Sequence, residues 1–446
     1  MPSQGTIGDR VRGLRLNRRM SQAQLAGPDL SDSYVSLIES GKRTPTPVVA
    51  RLLAERLGCT TEFLLHGIEP RQRIDTELGL RHAELELRHG DPSVAADRFT
   101  EIVKAAGEEN AMLAAHARLG RARSLEAQGR LGQAVEAFER LRREAAAHPE
   151  RLADLPLTVA LARCYQRAGD RLRARDLGAV ALEQATRLSI VQGEIAVDLA
   201  AALVEMRGDR EGDSAELAYV RQVLSGGVPE VVDRSGEIHA LWQASIVAAA
   251  GEDSALAVRL ADDAIAAGRS GRQARQLARA AMGWARLELA PADEAEQLVV
   301  AAGRVFSVLP DATHEHGESM IAHARVKLRA DEPRAAGELA EAALELLHGA
   351  PGTVPAAAHL VLARSAMALG DEPRAHLDTA RELLSALNGP VFGSDRLAAA
   401  SWRELGDLYG KAGAQREQTA AYRRALEAAG VRSAMAGVTV ESTVSQ

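Results

Sequence analysis

A small residue returns every 39 to 43 positions along most of the chain, at Gly90, Gly129, Gly169, Gly208, Gly251, Ala290, Ala330, Gly370 and Gly413. No other feature restricts the fold as strongly. Each marker ends one helical stretch and precedes another, often with Asp next, as in Gly169-Asp170 and Gly370-Asp371-Glu372-Pro373. Asp accepts from the first free N–H groups of the new helix, and Pro is tolerated in its first turn. Just beyond the marker comes a small residue, with a larger one a helical turn later: Ala95 and Phe99, Ala134 and Phe138. The small residue lets two helices approach; the larger one fills the next layer. One such hairpin cannot bury a face alone, so nine of them must stack. The 446 residues are 46% hydrophobic but only 3% aromatic, which favours helices and exceeds what one core needs.

The last unit reads Trp402-x-x-Leu405-Gly406-x-x-Tyr409, then Gly413, Tyr422 and Ala425. On these residues the body resembles tetratricopeptide repeats. That implies an all-α, superhelical solenoid of about nine helical hairpins over residues 74–430. The period exceeds the ~34 residues usual for that family, and armadillo or HEAT stacking, with a period of ~40, is the alternative. Residues 431–446 have no helical period and read as a loose tail.

Residues 1–67 differ in character. Ile7, Val11 and Leu14 give a first helix over 6–19, and Ser21-Gln22 opens a second that ends at Gly27. After Pro28, Ser31 sits as the N-cap of a third helix, Asp32–Ser40, which stops at Gly41. Val35 and Ile38 face one way, towards Leu25; Asp32, Ser33, Ser36 and Leu37 face the other. A fourth helix covers Thr46–Leu57 with Val48, Val49, Leu52, Leu53 and Leu57 as its core face, and a short fifth starts at Thr60. Gly67-Ile68-Glu69-Pro70 breaks the pattern and places a linker over 68–73. Residues 1–66 hold nine Lys or Arg against six Asp or Glu, a net +3, so the rest carries −10 of the total −7. A basic head on an acidic body suits a head that meets polyphosphate.

The run Ser21-Gln22-x-x-Leu25-Ala26, then Ser31-x-x-Tyr34-Val35-Ser36-x-Ile38-Glu39-x-Gly41-Lys42-Arg43-x-Pro45, resembles the Cro/C1-type (XRE family) helix-turn-helix. The resemblance implies a five-helix, lambda-repressor-like domain whose third helix enters the major groove of double-stranded DNA. It implies that Ser31, Asp32, Ser33, Ser36 and Leu37 face base edges. Arg18, Arg19, Gln22, Lys42 and Arg43 would hold phosphates, which sets register and makes affinity salt-dependent. Arg15 and Glu39 occupy positions that form a buried pair in that family. The connection Gly27-Pro28-Asp29-Leu30 is a residue shorter than the family's usual turn.

In hairpin stacks the first helix of each pair lines the concave face. Counting back from the markers turns Arg123, Arg163, Asp198, Leu241, Trp284, Met320, Lys327 and Arg364 inward, with Glu205, Ile238, Leu277, Leu360 and Met367. An apolar middle at Trp284 and Met320 between charged ends suits a short extended peptide or an amphiphile.

His314-Glu315-His316 with His323 lies between hairpins and lacks a cysteine or second carboxylate at ligand spacing, so no metal is expected. No phosphate loop, zinc-protease helix, nucleophile elbow or dinucleotide fingerprint occurs, so no catalytic residue and no cofactor is expected. The only cysteines, Cys59 and Cys164, are far apart in sequence, which fits a reducing compartment. The N-terminus lacks the apolar segment of a secretion signal, and no apolar run approaches the ~20 residues that span a bilayer. A cytoplasmic protein with no membrane partner is expected.

Head and body together are similar to the peptide-responsive, quorum-sensing regulators of Gram-positive bacteria. That similarity implies a homodimer in which a signalling peptide or small molecule bound to the body alters the spacing of two heads. The alternatives are a body that binds another protein and senses no small ligand, and a scaffold whose head does not bind DNA.

Overall fold

The computed structural model describes residues 6–66, 70–106, 110–207, 215–287, 291–348, 352–387 and 396–429, which form helices and no strand. The expected tail, 431–446, and the markers Gly208 and Ala290 lie outside these residues.

The head has five helices: α1 (Ile7–Asn17), α2 (Gln22–Ala26), α3 (Asp32–Glu39), α4 (Pro47–Arg56) and α5 (Thr61–His66). Thr6, Ser21, Ser31 and Thr46 each cap a helix by accepting from the backbone N–H three residues on. These caps explain why α1 to α4 start where they do, and Thr60 Oγ1 accepts from Phe63 N–H in the same way at the start of α5. The helices converge on Val11, Leu25, Val35, Ile38, Leu53, Leu57 and Leu64, all buried. Burial of each such side chain contributes about 1.5–3 kcal/mol. Val48 departs from the expected core face: it is 74% exposed, and Ala50 and Ala54 take the buried positions instead. Pro47 starts α4 at its first turn, which rotates Val48 to solvent and leaves Val49 and Leu52 half-buried.

Nine hairpins follow among the described residues. They pair α6 (Pro70–His89) with α7 (Pro92–Ala106), α8 (Ala111–Ala127) with α9 (Leu131–Ala147), α10 (Asp154–Ala168) with α11 (Arg171–Arg187), and α12 (Glu194–Arg207) with α13 (Ala215–Leu224). Next come α14 (Ser235–Ala250) with α15 (Ser254–Ala267), α16 (Arg269–Ala285) with α17 (Ala292–Val308), and α18 (Thr313–Arg329) with α19 (Pro333–Leu346). The last two are α20 (Thr353–Leu369) with α21 (Arg374–Ala386), and α22 (Arg396–Lys411) with α23 (Gln415–Ala428). The first of these helices begins at Pro70, inside the span read as a linker, because a proline suits the first turn of a helix.

The described markers sit at the hairpin corners. Gly129, Gly169, Gly370 and Gly413 all have positive φ, the left-handed conformation that turns the chain out of a helix. At Gly251 and Ala330 that role passes one residue on, to Glu252 (φ 64°) and Asp331 (φ 62°). Asp170 caps α11 by accepting from Arg173 N–H. Asp371 does not cap α21, whose N-cap is Pro373 and whose first N–H bonds to Glu372 instead. Phe99 and Phe138 are buried with Ala95 and Ala134 as expected. Gly120 makes the room: a Cβ there would lie 2.3 Å from the Phe99 ring. In the last hairpin Gly406 admits the Tyr422 ring, and buried Tyr409 donates to Asp378 Oδ1 at 3.0 Å.

The chain divides into two compact units, Met1–Ser124 with Ala240–Ala264, and Leu125–His239 with Ile265–Gln446. In the second unit the first helices of successive hairpins lie side by side, in the order α10, α12, α16, α18, α20, α22, and form one wall.

Candidate nucleic-acid interface

The helix that faces outward is α3, and its conformation is fixed at both ends. Ser31 Oγ accepts from Tyr34 N–H at 3.1 Å. At the far end Gly41 (φ 70°) turns the chain, with Gly41 N–H donating to Ile38 O and Lys42 N–H to Leu37 O. This paired closure satisfies carbonyls the helix would otherwise leave open. The apolar back, Val35 and Ile38, is buried. Ser31, Asp32, Ser33, Ser36 and Leu37 are all exposed, and Leu37 is 38% accessible. The sequence-predicted base-reading front is therefore open to solvent.

Beneath α3 lies the expected ion pair. Arg15 Nε donates to Glu39 Oε1 at 2.6 Å and Nη2 donates to Oε2 at 3.0 Å, a two-pronged contact with both side chains largely out of water. Burial alone would raise the Glu39 carboxyl, but hydrogen bonds from Arg15 and Gln22 outweigh it and hold its pKa below the ordinary value. The same hydrogen bond raises the Arg15 guanidinium. Gln22, expected on a phosphate, donates its Nε2–H to Glu39 Oε2 at 2.8 Å. It thus ties the start of α2 to the end of α3. Gly8 adds a steric gauge: a Cβ there would lie 2.4 Å from Ile38 O, so α1 meets the end of α3 backbone to backbone.

The basic residues divide. Arg19, Lys42 and Arg43 are exposed beside α2 and α3. The Arg43 guanidinium lies over the Tyr34 ring, 5.1 Å from its centroid, a platform the sequence reading missed. Arg18 instead donates to Gly58 O at 3.4 Å, at the end of α4.

Two further arginines were not expected to act structurally. Arg56 donates to Leu25 O at 3.1 Å, to Ala26 O and to Asp29, so its cation closes the carbonyl end of α2. It lies against Gly27 (φ 53°), where a Cβ would meet the guanidinium at 2.7 Å. The shortened turn with Pro28 is braced in this way. Arg10 does the same for α5, donating to Leu64 O and Leu65 O.

The residues expected to line a groove in the body separate on inspection. Arg163, Asp198 and Arg364 do lie on the wall of the second unit. Arg163 Nη2 meets Glu126 at 3.1 Å, and Nη1 lies 3.8 Å from Asp198. Arg364 and Arg325 both reach Glu404, at 3.5 and 2.7 Å. Arg325 does so across α20, from α18 to α22. Trp284 is buried, 6% exposed, with Arg221 of α13 over its ring. Lys327 turns to Glu296 of α17 at 2.7 Å. Met320 packs half-buried against the cluster of Ile321, Ala324 and Val361. Leu277 and Leu360 are core residues. Arg123 is exposed and Leu241 half-buried, both in the first unit.

The middle of the wall is charged where an apolar floor was expected. Arg279 and Arg275 bind Glu315 at 2.6 and 2.8 Å, and Arg286 binds Glu318 at 3.2 Å. His314, Glu315 and His316 lie in the first turn of α18, not in a loop, and His323 pairs with Glu296 at 3.3 Å. Among the described residues no three His, Cys, Asp or Glu side chains converge as a metal set, and no helix is long and apolar enough to cross a membrane.

Comparison with known proteins bears on the head. The helix-turn-helix family profile matches residues 11–64. No curated protein matches the chain in sequence. Among solved structures, PlcR of Bacillus thuringiensis, in complex with the peptide PapR7 and DNA, is 9% identical, with 94% of this chain and 99% of that chain covered and a TM-score of 0.28. RapI in its apo form is 11% identical, covers 95% and 97%, and scores 0.42. The apo competence regulator ComR of Streptococcus vestibularis is 13% identical, covers 90% and 97%, and scores 0.23. None of these superpositions amounts to a shared global arrangement. The chain carries an N-terminal helix-turn-helix domain, followed by helical hairpins.

Proposed function

We propose that this helix-turn-helix protein is a sequence-specific transcriptional regulator. Its repeat body dimerises and senses a charged peptide or small molecule. One observation carries the DNA-binding part: the open polar front of α3 is mounted on the buried Arg15–Glu39–Gln22 contact and flanked by exposed Lys42 and Arg43. A major groove admits a helix with such a front. Asp32 accepts from cytosine N4, and Leu37 touches a thymine methyl. Arg19, Lys42 and Arg43 meet phosphates. Dimerisation follows from area, since one small head buries little groove surface, and half-sites then lie about 34–36 Å or a multiple apart.

Duplexes selected from random sequence by the full chain test this reading. Specific binding should fall linearly with log salt, and Lys42→Ala should lower that slope by about 1. Absence of binding even at low salt overturns it. Ser33→Ala with Ser36→Ala should weaken selected sites more than random DNA; equal loss at both removes their base-reading role.

The wall favours a second reading of the body. Its arginines are already matched by Glu126, Glu315, Glu318 and Glu404, as a protein-binding surface without a small ligand would be. A thermal shift with a peptide-containing cell extract, lost after protease treatment of that extract, favours the sensing reading. An unchanged melting curve favours the scaffold. For a ligand to act it must bind one body conformation better than another, because equal affinity shifts nothing.

A further inference from the structure

One hairpin of the second unit carries two facing imidazoles. His359 stands in the middle of α20, and His376 in the first turn of α21. Their Nδ1 atoms are 3.3 Å apart and their ring centroids 5.6 Å apart, with the ring planes tilted by 32°. The two Nδ1 atoms are therefore the points at which the rings meet. Both residues are half-buried. Their surroundings are apolar: Ala356 and Ala363, one turn either side of His359, and Leu377 and Ala380, beside His376, are buried in one cluster.

Neighbouring charges do not account for the pair. Among the described residues each ring has the other as its polar partner, and no carboxylate bonds to either. Asp378, two residues from His376, is taken by Arg374 at 3.1 Å and by the Tyr409 hydroxyl at 3.0 Å. Arg374 in turn reaches Glu417 at 2.9 Å. Two imidazoles set on a face of alanine and leucine hold one proton between their near nitrogens. A second proton there would put two like charges in contact.

We propose that His359 and His376 form a zinc site that clips α20 to α21. A neutral imidazole nitrogen is the commonest protein ligand for such an ion, and zinc takes it at ~2.0–2.1 Å. Two nitrogens on a tetrahedral ion are then about 3.3–3.4 Å apart, which is the separation of this pair. At right angles, as on copper(II), they would be ~2.9 Å apart. Small rotations about the soft Cβ–Cγ torsions aim both lone pairs at one point between the helices. The proton between the rings passes through solvent to the donor ring's far nitrogen, Nε2, so both rings stay neutral. Among the described residues no set of three His, Cys, Asp or Glu forms, so water fills the two remaining positions. Such a site exchanges its ion, unlike a closed structural one with four protein ligands. The proposal is independent of the regulator reading.

Zinc chloride titrated into the full chain, stripped beforehand with chelator, tests the site. The tightest zinc should weaken at least about tenfold in His359→Asn and equally in His376→Asn, since even an outer partner of a ligand is worth that much. The double variant should bind like either single one, because one ion needs both rings. His323→Asn, on a ring that pairs with Glu296, should leave the tightest zinc as it is. His376→Cys distinguishes ligation from a variant that merely loosens the hairpin, because a thiolate also binds the ion. With cobalt(II) chloride that variant should gain a near-ultraviolet thiolate-to-metal band, absent from the parent and lost again when His359→Asn is added. Three results overturn the site: parent binding no tighter than that of the double variant, losses that add across the two single variants, or no cobalt band.

Discussion

The head and the repeat body hold their helices in register by opposite means. In the head a few polar contacts do it: Glu39 with Arg15 and Gln22, Arg56 on the end of α2, Arg10 on the end of α5. In the body the same task falls to apolar residues of matched size, such as Phe99 against Gly120 and Tyr422 against Gly406. Several of its ion pairs, such as Arg325–Glu404 and Arg286–Glu318, lie partly exposed on the wall. A domain of some sixty residues has little apolar area to spare, so its alignment depends on directional bonds. A stack of hairpins gains area with each unit and depends on fit.

Breaking the head's buried pair should have the largest effect. Glu39→Ala leaves the Arg15 guanidinium buried without its partner and should cost the head about 3–5 kcal/mol, read by urea unfolding of the full chain with a probe in the head. Acid should do the same gradually. The folded-state pKa of Glu39 lies below its ordinary value of 4.5, so its contribution is complete above that value. It is lost as pH falls through the depressed one. Head stability measured from about pH 5 to about pH 3 should fall accordingly, and Glu39→Gln should flatten that slope. In the body, Gly120→Ala should cost about 1–3 kcal/mol by overpacking against Phe99. An unchanged midpoint would show that the Phe99 ring yields freely. Arg325→Ala, on the half-exposed wall, should cost no more than about 1 kcal/mol in the same experiment. A larger loss would mean the wall's charges also set alignment. Val48→Lys should change head stability by less than about 0.5 kcal/mol, since that side chain is largely exposed.

The sequence disclosed what is periodic or motif-bound. Among the described residues, six hairpin corners turn on a left-handed residue, at or one after the recurring small one, and that recurrence is what made them visible. The open front of α3 was visible because its cap, back and stop lie within one short run. What it concealed follows from the same physics. First helices of stacked hairpins are apolar on two sides, so counting back from a corner does not distinguish the wall from the layer behind it. Trp284 and Lys327 proved to face second helices for that reason. The bracing of α2 by Arg56 joins residues about thirty apart with no shared pattern.

Gly8 carries a consequence for the reading of DNA. Where α1 crosses the end of α3 there is no side chain between the two backbones. A methyl group placed there is a shim under one end of a lever: it tips the far tip of the rod while leaving its own shape intact. Variation at this position would therefore retune how deeply the protein probes the duplex, from the side of the domain that never touches it.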